Sequence, residues 1–410
     1  MLEKLKSKKG FFGDLVLNLL ASLVTTGIAQ LLLYPLLARM VSDEEYGVIL
    51  TVMGVANTVA AAVGNSLNNV RLMLRNEYDA RHEKGDFLPL LTLLTALGLL
   101  VMGAYLLLAQ HIAVGAGLLL LAFCLFSAFR TYGVVIYRLL LDYKGNLICS
   151  AVVGLGNAVG ILLVWLFGLR GLWPLAFLLG EAAGMVLLLK RTAIFREPFR
   201  KTPLFPVTAR KETVLLLTTL TASLLTYLDR LLLLPLLGGT AVSVFTVASF
   251  FGKSLGILMT PMASVLLSYY AQRGFEMTRG RFWATNGLVL LLSAGFFLVC
   301  ALLGDWGTGL IYPTLIEQAR PYLLLANLAA ILNVAGNMTQ PAVLKFAPTY
   351  WQLVVEGVYC AVYIGCGAAA ARADGLRGFA LAVLLAALVR LLMLYGVGHF
   401  ALSNPVHEVK

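Results

Sequence analysis

The chain has 410 residues, of which 60% are hydrophobic and only 12% are charged, with a formal net charge of +11. Soluble domains carry about a quarter charged residues, and a soluble chain of this composition would expose far too much apolar surface. The apolar residues form runs of roughly 20, the length that crosses a bilayer as a helix. The composition therefore excludes an ordinary soluble domain and predicts an all-α integral membrane protein.

The apolar runs predict about 12 transmembrane helices with short loops. The longest connector, 190–212, is rich in Pro, Arg and Lys, which marks it as the hinge between two halves. We expect an N-terminal six-helix lobe at 1–190, a cytoplasmic linker at 191–211 and a C-terminal six-helix lobe at 212–410. The predicted spans are 12–38, 47–69, 87–109, 112–137, 147–168, 172–190, 212–237, 240–269, 279–303, 319–341, 350–371 and 375–398.

The Lys and Arg residues between the spans set the expected orientation. With the N-terminus in the cytoplasm, about 22 of them lie inside and about 5 outside, in agreement with the excess of positive charge in cytoplasmic loops. The net charge is therefore mainly a signal of topology and does not indicate nucleic-acid binding. Both termini are predicted to be cytoplasmic.

A repeat links the first and seventh spans. QLLLYPLL at 30–37 matches RLLLLPLL at 230–237, an offset of about half the chain. Six spans in each half give the halves the same orientation, which predicts a parallel repeat with a central cavity between two lobes. Prolines inside spans are expected to bend them: Pro35, Pro235, Pro261 and Pro341.

Two motifs carry a resemblance to a known family. YPLLARMVSDEEYG at 34–47 resembles a hallmark of the polysaccharide-transporter branch of the multidrug/oligosaccharidyl-lipid/polysaccharide exporter superfamily, with Asp43 where Pro is usual. YLDRLLLLPLLGGTAVSVFTVASF at 227–250 resembles the family's seventh helix and the turn after it. The resemblance implies a flippase for polyprenyl-diphosphate-linked oligosaccharide in the bacterial cytoplasmic membrane. It also implies alternating access between two six-helix lobes and a role in surface polysaccharide biosynthesis.

Polar residues recur at helical spacing on several spans, and such stripes face a wet cavity or partner helices rather than lipid. Ser and Thr on these stripes are ordinary packing residues, so the amides indicate a cavity more strongly. Amides can bind the hydroxyl groups of a sugar. Those predicted to line the cavity are Gln30, Asn57, Asn65, Asn68, Asn333 and Asn337.

Cations inside spans indicate where an anionic group binds. A charge at mid-depth costs about 2.5–3.5 kcal/mol on insertion scales, and an anionic ligand offsets that cost. We expect Arg230 and Lys253 to face one cavity and hold the diphosphate, with Arg130 as a third candidate.

Four acidic residues in the spans are candidates for coupling transport to H+ or Na+: Asp229, Glu181, Glu356 and Asp14. Asp229 and Arg230 are sequence neighbours and point about 100° apart around a helix, so Asp229 is expected to pair across helices or to bind a cation. Structural alternatives are open for the others. Glu181 lies in the small-residue packing motif GEAAG, and Glu356 lies near a span end, as does Arg390.

No motif of an enzyme or of a bound cofactor is evident. FGKSL at 251–255 lacks the upstream glycine of a phosphate-binding loop, and no paired carboxylates, metal-ligand cluster or nucleophilic constellation is present. We therefore predict a non-enzymatic protein without cofactor or metal, for which a monomer suffices. Its other partners are membrane lipids, and its energy comes from an ion gradient, the membrane potential or substrate flux.

Two alternatives remain open. A cation-coupled multidrug exporter of the same superfamily would favour an acidic, aromatic cavity, whereas the polar spans here are net basic. A membrane-embedded glycosyl- or acyltransferase would need paired carboxylates or a catalytic His near an interface.

Overall fold

Helices make up nearly all of the described chain. The computed structural model describes residues 2–109, 112–270, 275–348 and 350–403, without the side chains at 2–12, 14, 15, 109, 258, 260, 261, 264, 265, 268 and 269. No strand occurs in those ranges. The side chain of Asp14, one of the predicted ion-coupling residues, lies outside the described residues, as does that of Pro261.

The first six predicted spans correspond to helices of the first part of the chain. They are α1 (Leu2–Ile28, continued by the π-helical turn Ala29–Leu33 and by Tyr34–Ala38), α2 (Asp43–Ala80), α3 (Phe87–Ala109), α4 (Val114–Gly133 and Val135–Leu140), α5 (Tyr143–Leu166) and α6 (Leu175–Arg191).

The remaining spans include two broken helices and one long helix. They are α7 (Phe205–Thr226 and Leu228–Leu237), α8 (Gly239–Ala248 and Phe250–Tyr270), α9 (Arg279–Ile311) and α10 (Leu323–Phe346). Tyr350–Ala401, of 52 residues, has non-helical backbone at Asp374 and Gly375. That break divides it into α11 (350–373) and α12 (376–401).

The described helices account for all twelve predicted spans. Eight are long and apolar enough to cross a membrane, and the broken pairs α7 and α8 bring the number to ten. The eleventh is α6, of 17 residues, and the break in Tyr350–Ala401 gives the twelfth.

The sequence predicts bends at the prolines, but the helix breaks lie at other residues. In α7 the break is at Tyr227, and Pro235 lies inside Leu228–Leu237. In α8 the break is at Ser249, while α10 runs through Pro341. Among the prolines that were expected to bend spans and whose side chains are described, only Pro35 lies next to an irregular helical turn. It is the second residue after the π-helical turn of α1.

The chain forms two compact units. The first comprises residues 1–41 and 51–228, and the second comprises 42–50 and 229–410, so α2 begins in the second unit and continues in the first. Apolar side chains of α2, α3 and α4 form a core of the first unit around Leu67, Leu91 and Tyr132. Side chains of α9, α10 and α12 form a core of the second, around Phe282 and Ile331. The lobe limits expected from the sequence stay a prediction.

The parts of the two resemblance motifs that lie in the second unit, 42–47 and 229–250, pack directly on each other. Glu44 accepts hydrogen bonds from the backbone N–H groups of Gly239 and Thr240, each at 2.7 Å, at the start of α8. A Cβ on Gly47 would lie 1.9 Å from the carbonyl oxygen of Gly239. Glycine at both positions therefore allows the two helix starts to meet backbone to backbone.

The connector after α6 is fastened to the loop before α3. Asp86 is fully buried, and its carboxylate accepts hydrogen bonds from the Thr202 backbone at 2.6 Å and from the Tyr78 hydroxyl at 2.6 Å. The Asp86 N–H donates to the carbonyl of Arg200 at 2.9 Å. The expected hinge at 190–212 is thus held by buried polar contacts within the first unit.

Asp86→Ala should destabilise the protein by roughly 2–3 kcal/mol, because buried donors on Thr202 and Tyr78 lose a charged acceptor. Asp86→Asn should cost less, since asparagine keeps one acceptor and tolerates the positive φ of 67° at this position. Equilibrium unfolding in detergent micelles measures both. The exposed carboxyl of Asp79 provides the control, and a loss for Asp86→Ala no larger than for Asp79→Ala would contradict this role.

Candidate functional site

A polar cavity of about 360 Å³ lies inside the first unit. Helices α1, α2, α4, α5, α6 and the first segment of α7 contribute to its wall. Amide groups come from Gln30, Asn57, Asn65 and Asn157, hydroxyl groups from Thr25, Thr26, Ser127, Thr131, Ser223 and Thr226, and aromatic rings from Tyr34, Phe123, Phe177 and Tyr227. Arg130 and Glu181 complete its polar lining.

The π-helical turn of α1 places Gln30 in this wall. The Tyr34 N–H bonds to the carbonyl of Ala29, five residues back, and Pro35, which follows, has no N–H to donate. Single π-helical turns of this kind occur frequently at functional sites. The irregular turn therefore coincides with the part of α1 that faces the cavity.

Helical spacing places two amides of α2 on the cavity side. Asn57 and Asn65 are eight residues apart with Ala61 between them, and all three line the cavity. Gly54, one turn before Asn57, would bring a Cβ within 3.1 Å of the Tyr227 ring, so glycine there leaves space for that ring.

Three of the predicted cavity amides have free hydrogen-bonding groups. Within the described part of the chain, the side chains of Gln30, Asn57 and Asn65 hydrogen-bond to no protein group. Gln30 and Asn57 are half-buried and Asn65 is exposed. These three therefore offer donors and acceptors to a molecule or to water in the cavity.

The two charges in the wall neutralise each other. The Arg130 guanidinium donates through Nη2 to Glu181 Oε1 at 3.0 Å and through Nε to Glu181 Oε2. Gly184 makes the pair possible, because a Cβ there would lie 2.7 Å from Arg130 Cδ. The arrangement is a two-bond fork between α4 and α6, so the wall has hydrogen-bonding capacity without a net charge.

Asn68 does not line this cavity. Its amide nitrogen donates to the carbonyl of Thr131 at 3.0 Å, and its oxygen accepts from Arg138 at 2.7 Å. It is nearly fully buried and links α2 to α4.

The acid–base neighbours of α7 turn to different partners in the second unit. Asp229 Oδ2 accepts a hydrogen bond from Lys253 of α8. This contact between two helices is one of the two roles expected for Asp229. Arg230 is buried and donates to the carbonyl of Leu50 at 3.0 Å. Lys253 is therefore paired with a carboxylate, although 40% of its side chain is exposed. Whether Arg230 and Lys253 bind a diphosphate stays a prediction.

Three further candidates meet around Arg390 of α12. Its guanidinium donates to Glu356 Oε1 at 2.7 Å and to the side-chain oxygens of Asn333 and Asn337, each at 2.9 Å. Gly336 gives it room, since a Cβ there would lie 3.0 Å from Arg390 Nη1. Arg390 is buried inside the protein and does not extend its guanidinium towards the membrane–water interface, which was the alternative for a residue near a span end. The predicted cavity residues of α10 thus belong to a hydrogen-bonded network in the second unit.

Arg390→Ala should destabilise the protein by about 3–5 kcal/mol, because Glu356 would be left without its cation. Arg390→Lys should recover part of this loss, since lysine restores the charge but cannot form the guanidinium's several directed bonds. Unfolding in detergent micelles tests both variants. Arg377→Ala, an exposed arginine on the same helix, should have little effect. Equal stability of Arg390→Ala and Arg377→Ala would refute the network's role.

Comparison with known proteins shows which solved structures have a similar fold. No protein-family model and no curated protein matches the chain, but solved structures do. The lipid II flippase MurJ in an inward closed conformation is 15% identical with a TM-score of 0.68, covering 94% of this chain and 86% of that one. A mutant of the Vibrio cholerae MATE transporter VcmN is 14% identical with a TM-score of 0.66, covering 96% and 97%. An outward-facing multidrug resistance MATE family transporter of the MOP superfamily is 14% identical with a TM-score of 0.63, covering 95% of each chain.

At this level of identity the likeness concerns the fold. The chain has the fold of the multidrug/oligosaccharidyl-lipid/polysaccharide exporters, in agreement with the resemblance of its two motifs. The predicted all-α integral membrane fold of about 12 helices is confirmed. A central cavity between lobes, in contrast to the cavity inside the first unit, stays a prediction.

Proposed function

We propose that the protein is a flippase that moves polyprenyl-diphosphate-linked oligosaccharide across the bacterial cytoplasmic membrane by alternating access, for surface polysaccharide biosynthesis. The oligosaccharide binds in the cavity of the first unit. Protein and substrate exchange hydrogen bonds there and no covalent bond changes, so the protein is a transporter and not an enzyme.

The observation that carries the proposal is the chemistry of the cavity wall. Gln30, Asn57 and Asn65 present unused amide donors and acceptors, which suit the hydroxyl and N-acetyl groups of sugars. The rings of Tyr34, Phe177 and Tyr227 provide the apolar surface that the C–H faces of a sugar can pack against. The sugar-bearing part of a lipid-linked substrate matches this combination.

The charge balance of the wall separates this proposal from its main alternative. A multidrug exporter of lipophilic cations would bind them most favourably at an unpaired carboxylate. Glu181 is the only carboxylate in the described wall of this cavity, and it is held in a fork by Arg130. An uncharged substrate group therefore fits better than a cationic drug.

The diphosphate of the substrate is proposed to bind Arg230 and Lys253, with Asp229 as the group that Lys253 leaves. The Lys253 side chain is 40% exposed, so its ammonium can reach phosphate oxygens by a change of side-chain rotamer, in exchange for the Asp229 carboxylate. Asp229, Glu181 and Glu356 are the proposed candidates for coupling to H+ or Na+. The Lys and Arg distribution supports cytoplasmic termini, and a monomer contains all the groups proposed.

Ligand-induced thermal stabilisation of the detergent-purified protein tests the proposal. Lipid-linked oligosaccharide should raise the melting temperature, and a lipophilic dye cation at the same concentration should not. Replacing both Asn57 and Asn65 by Ala should weaken oligosaccharide binding about tenfold, because each lost hydrogen bond contributes about 0.5–1.5 kcal/mol. Asn76→Ala, on the exposed end of α2, is the matched control. Stabilisation by the dye alone would favour the multidrug exporter.

A further inference from the structure

A buried carboxyl outside the proposed site has no charged partner. Glu212 lies on the first segment of α7, where only 2% of its surface is exposed. Its Oε1 lies 2.5 Å from the Ser66 hydroxyl of α2, and among the described residues its Oε2 has no hydrogen-bond partner. An ionised carboxylate buried with a single hydroxyl partner is costly.

The hydroxyl of Ser66 has more neighbours than it has protons. Its Oγ lies 2.5 Å from the carbonyl oxygen of Ala62 and 2.5 Å from Glu212 Oε1. A serine hydroxyl donates only one proton, and the carbonyl of Ala62 has none to give. If Glu212 is ionised, Ser66 must share its single proton among Glu212 Oε1 and the carbonyl oxygens of Ala62 and Val63. If Glu212 is protonated, Glu212 donates to Ser66 and Ser66 donates to Ala62. Only the protonated arrangement gives each of the two 2.5 Å contacts a proton of its own.

The charged groups around this part of α7 have other partners. Apolar side chains of α7 pack against α2, α3, α4 and the connector. On α2, Arg71 pairs with Glu197 and donates to Tyr132. Arg75 pairs with Asp79 on the same helix. Glu77 Oε1 lies 3.9 Å from Nζ of Lys211, which is on α7 itself. Asp86, before α3, is bound by Thr202 and Tyr78, and in α4 Arg130 pairs with Glu181 while Arg138 donates to Asn68. Arg210 of α7 is exposed.

We infer that Glu212 and Ser66 form a proton-binding site that fastens α7 to α2 in this conformation. The proton on Glu212 Oε1 completes the hydrogen bond to Ser66 and removes the charge that burial opposes. When the contact opens, water reaches the carboxyl, which gives its proton to water because an exposed glutamate ionises at neutral pH. The packing of the first segment of α7 is thereby linked to proton binding, whatever molecule the protein transports.

Infrared difference spectroscopy on the purified protein in lipid nanodiscs at neutral pH tests this directly. The spectrum of the wild type minus that of Glu212→Gln should contain the carbonyl stretch of a protonated carboxyl. Glu77→Gln removes an exposed carboxyl from the adjacent helix, so its difference spectrum should contain only carboxylate bands. Carboxylate bands alone in the Glu212→Gln difference spectrum would overturn the inference.

A second variant keeps the test decisive where Glu212→Gln fails to fold. Ser66→Ala leaves Glu212 in place but removes its hydrogen-bond partner, so the protonated-carboxyl band should shift in frequency. An unchanged band in Ser66→Ala would contradict the contact. Neither measurement involves a transported substrate, and both outcomes are therefore independent of the proposed flippase function.

Discussion

Replacing Arg130 alone by Met is expected to destabilise the protein by about 3–5 kcal/mol, because Glu181 is 7% exposed and would remain as an unpaired charge. Glu181→Met should cost a similar amount for the same reason. The double variant should be much closer to the wild type, since replacing a buried ion pair by apolar side chains of similar volume is often nearly neutral. The double-mutant cycle should give a coupling of at least about 2 kcal/mol.

Equilibrium unfolding of the four proteins in one detergent measures this coupling. The same four proteins also test the cavity. If the fork holds α4 and α6 around the substrate, the double variant should be stable yet bind lipid-linked oligosaccharide more weakly. Additive effects of the two single substitutions would show that Arg130 and Glu181 do not interact. The claim that their ion pair neutralises the cavity wall would then be wrong.

Gly47→Ala is expected to prevent the packing of α2 on the start of α8. The added methyl would lie 1.9 Å from the carbonyl oxygen of Gly239, and rigid backbone on both sides cannot give way as a side chain can. Overpacking costs about 1–3 kcal/mol where side chains adjust, so this substitution should cost at least the upper end of that range. Gly239→Ala should behave alike, because its Cβ would lie 2.1 Å from the carbonyl oxygen of Glu44.

Gly357→Ala is the matched control for these substitutions. A Cβ at this helical glycine of α11 would meet nothing within 4 Å, so alanine should be neutral or stabilising by up to about 1 kcal/mol through helix propensity. Thermal unfolding in detergent compares the three variants. Wild-type stability of Gly47→Ala would mean that the two helix starts do not meet as described.

Hydropathy predicted the helices because each span must be apolar over its whole length, and this requirement is local. The broken helices were harder to place. The α7 break at Tyr227 and the α8 break at Ser249 lie at no proline, so the rule that proline bends helices could not locate them.

The cavity of the first unit was predictable in part because helical spacing is also local. Gln30, Asn57 and Asn65 stand out as amides in apolar spans, and the structure brings them together with Arg130 and Glu181. What spacing could not provide was the partner of each charge. Lys253 pairs with Asp229, and Arg390 donates hydrogen bonds to Asn333 and Asn337. These contacts depend on which helices are neighbours, and helical spacing does not contain that information.

Glu212 was missed for a different reason. It ends the stretch TARKE at 208–212, whose charged residues look like a solvated loop, and it stood at the edge of the predicted span. In the structure α7 begins at Phe205, and Thr208 and Glu212 lie one turn apart on its buried face. That four-residue spacing of polar side chains is the one signal that could have identified it.

Translocation in proteoliposomes tests the central claim most directly: labelled polyprenyl-diphosphate-linked oligosaccharide is placed in the inner leaflet, and its appearance outside is followed with an impermeant reagent. Wild type and Asn76→Ala should accelerate its appearance, and the Asn57→Ala/Asn65→Ala variant should slow it about tenfold relative to them, in line with two lost hydrogen bonds. No acceleration by the wild type, together with gradient-driven export of a lipophilic dye cation by the same vesicles, would contradict the flippase assignment. Equal oligosaccharide rates for all three proteins would contradict the cavity.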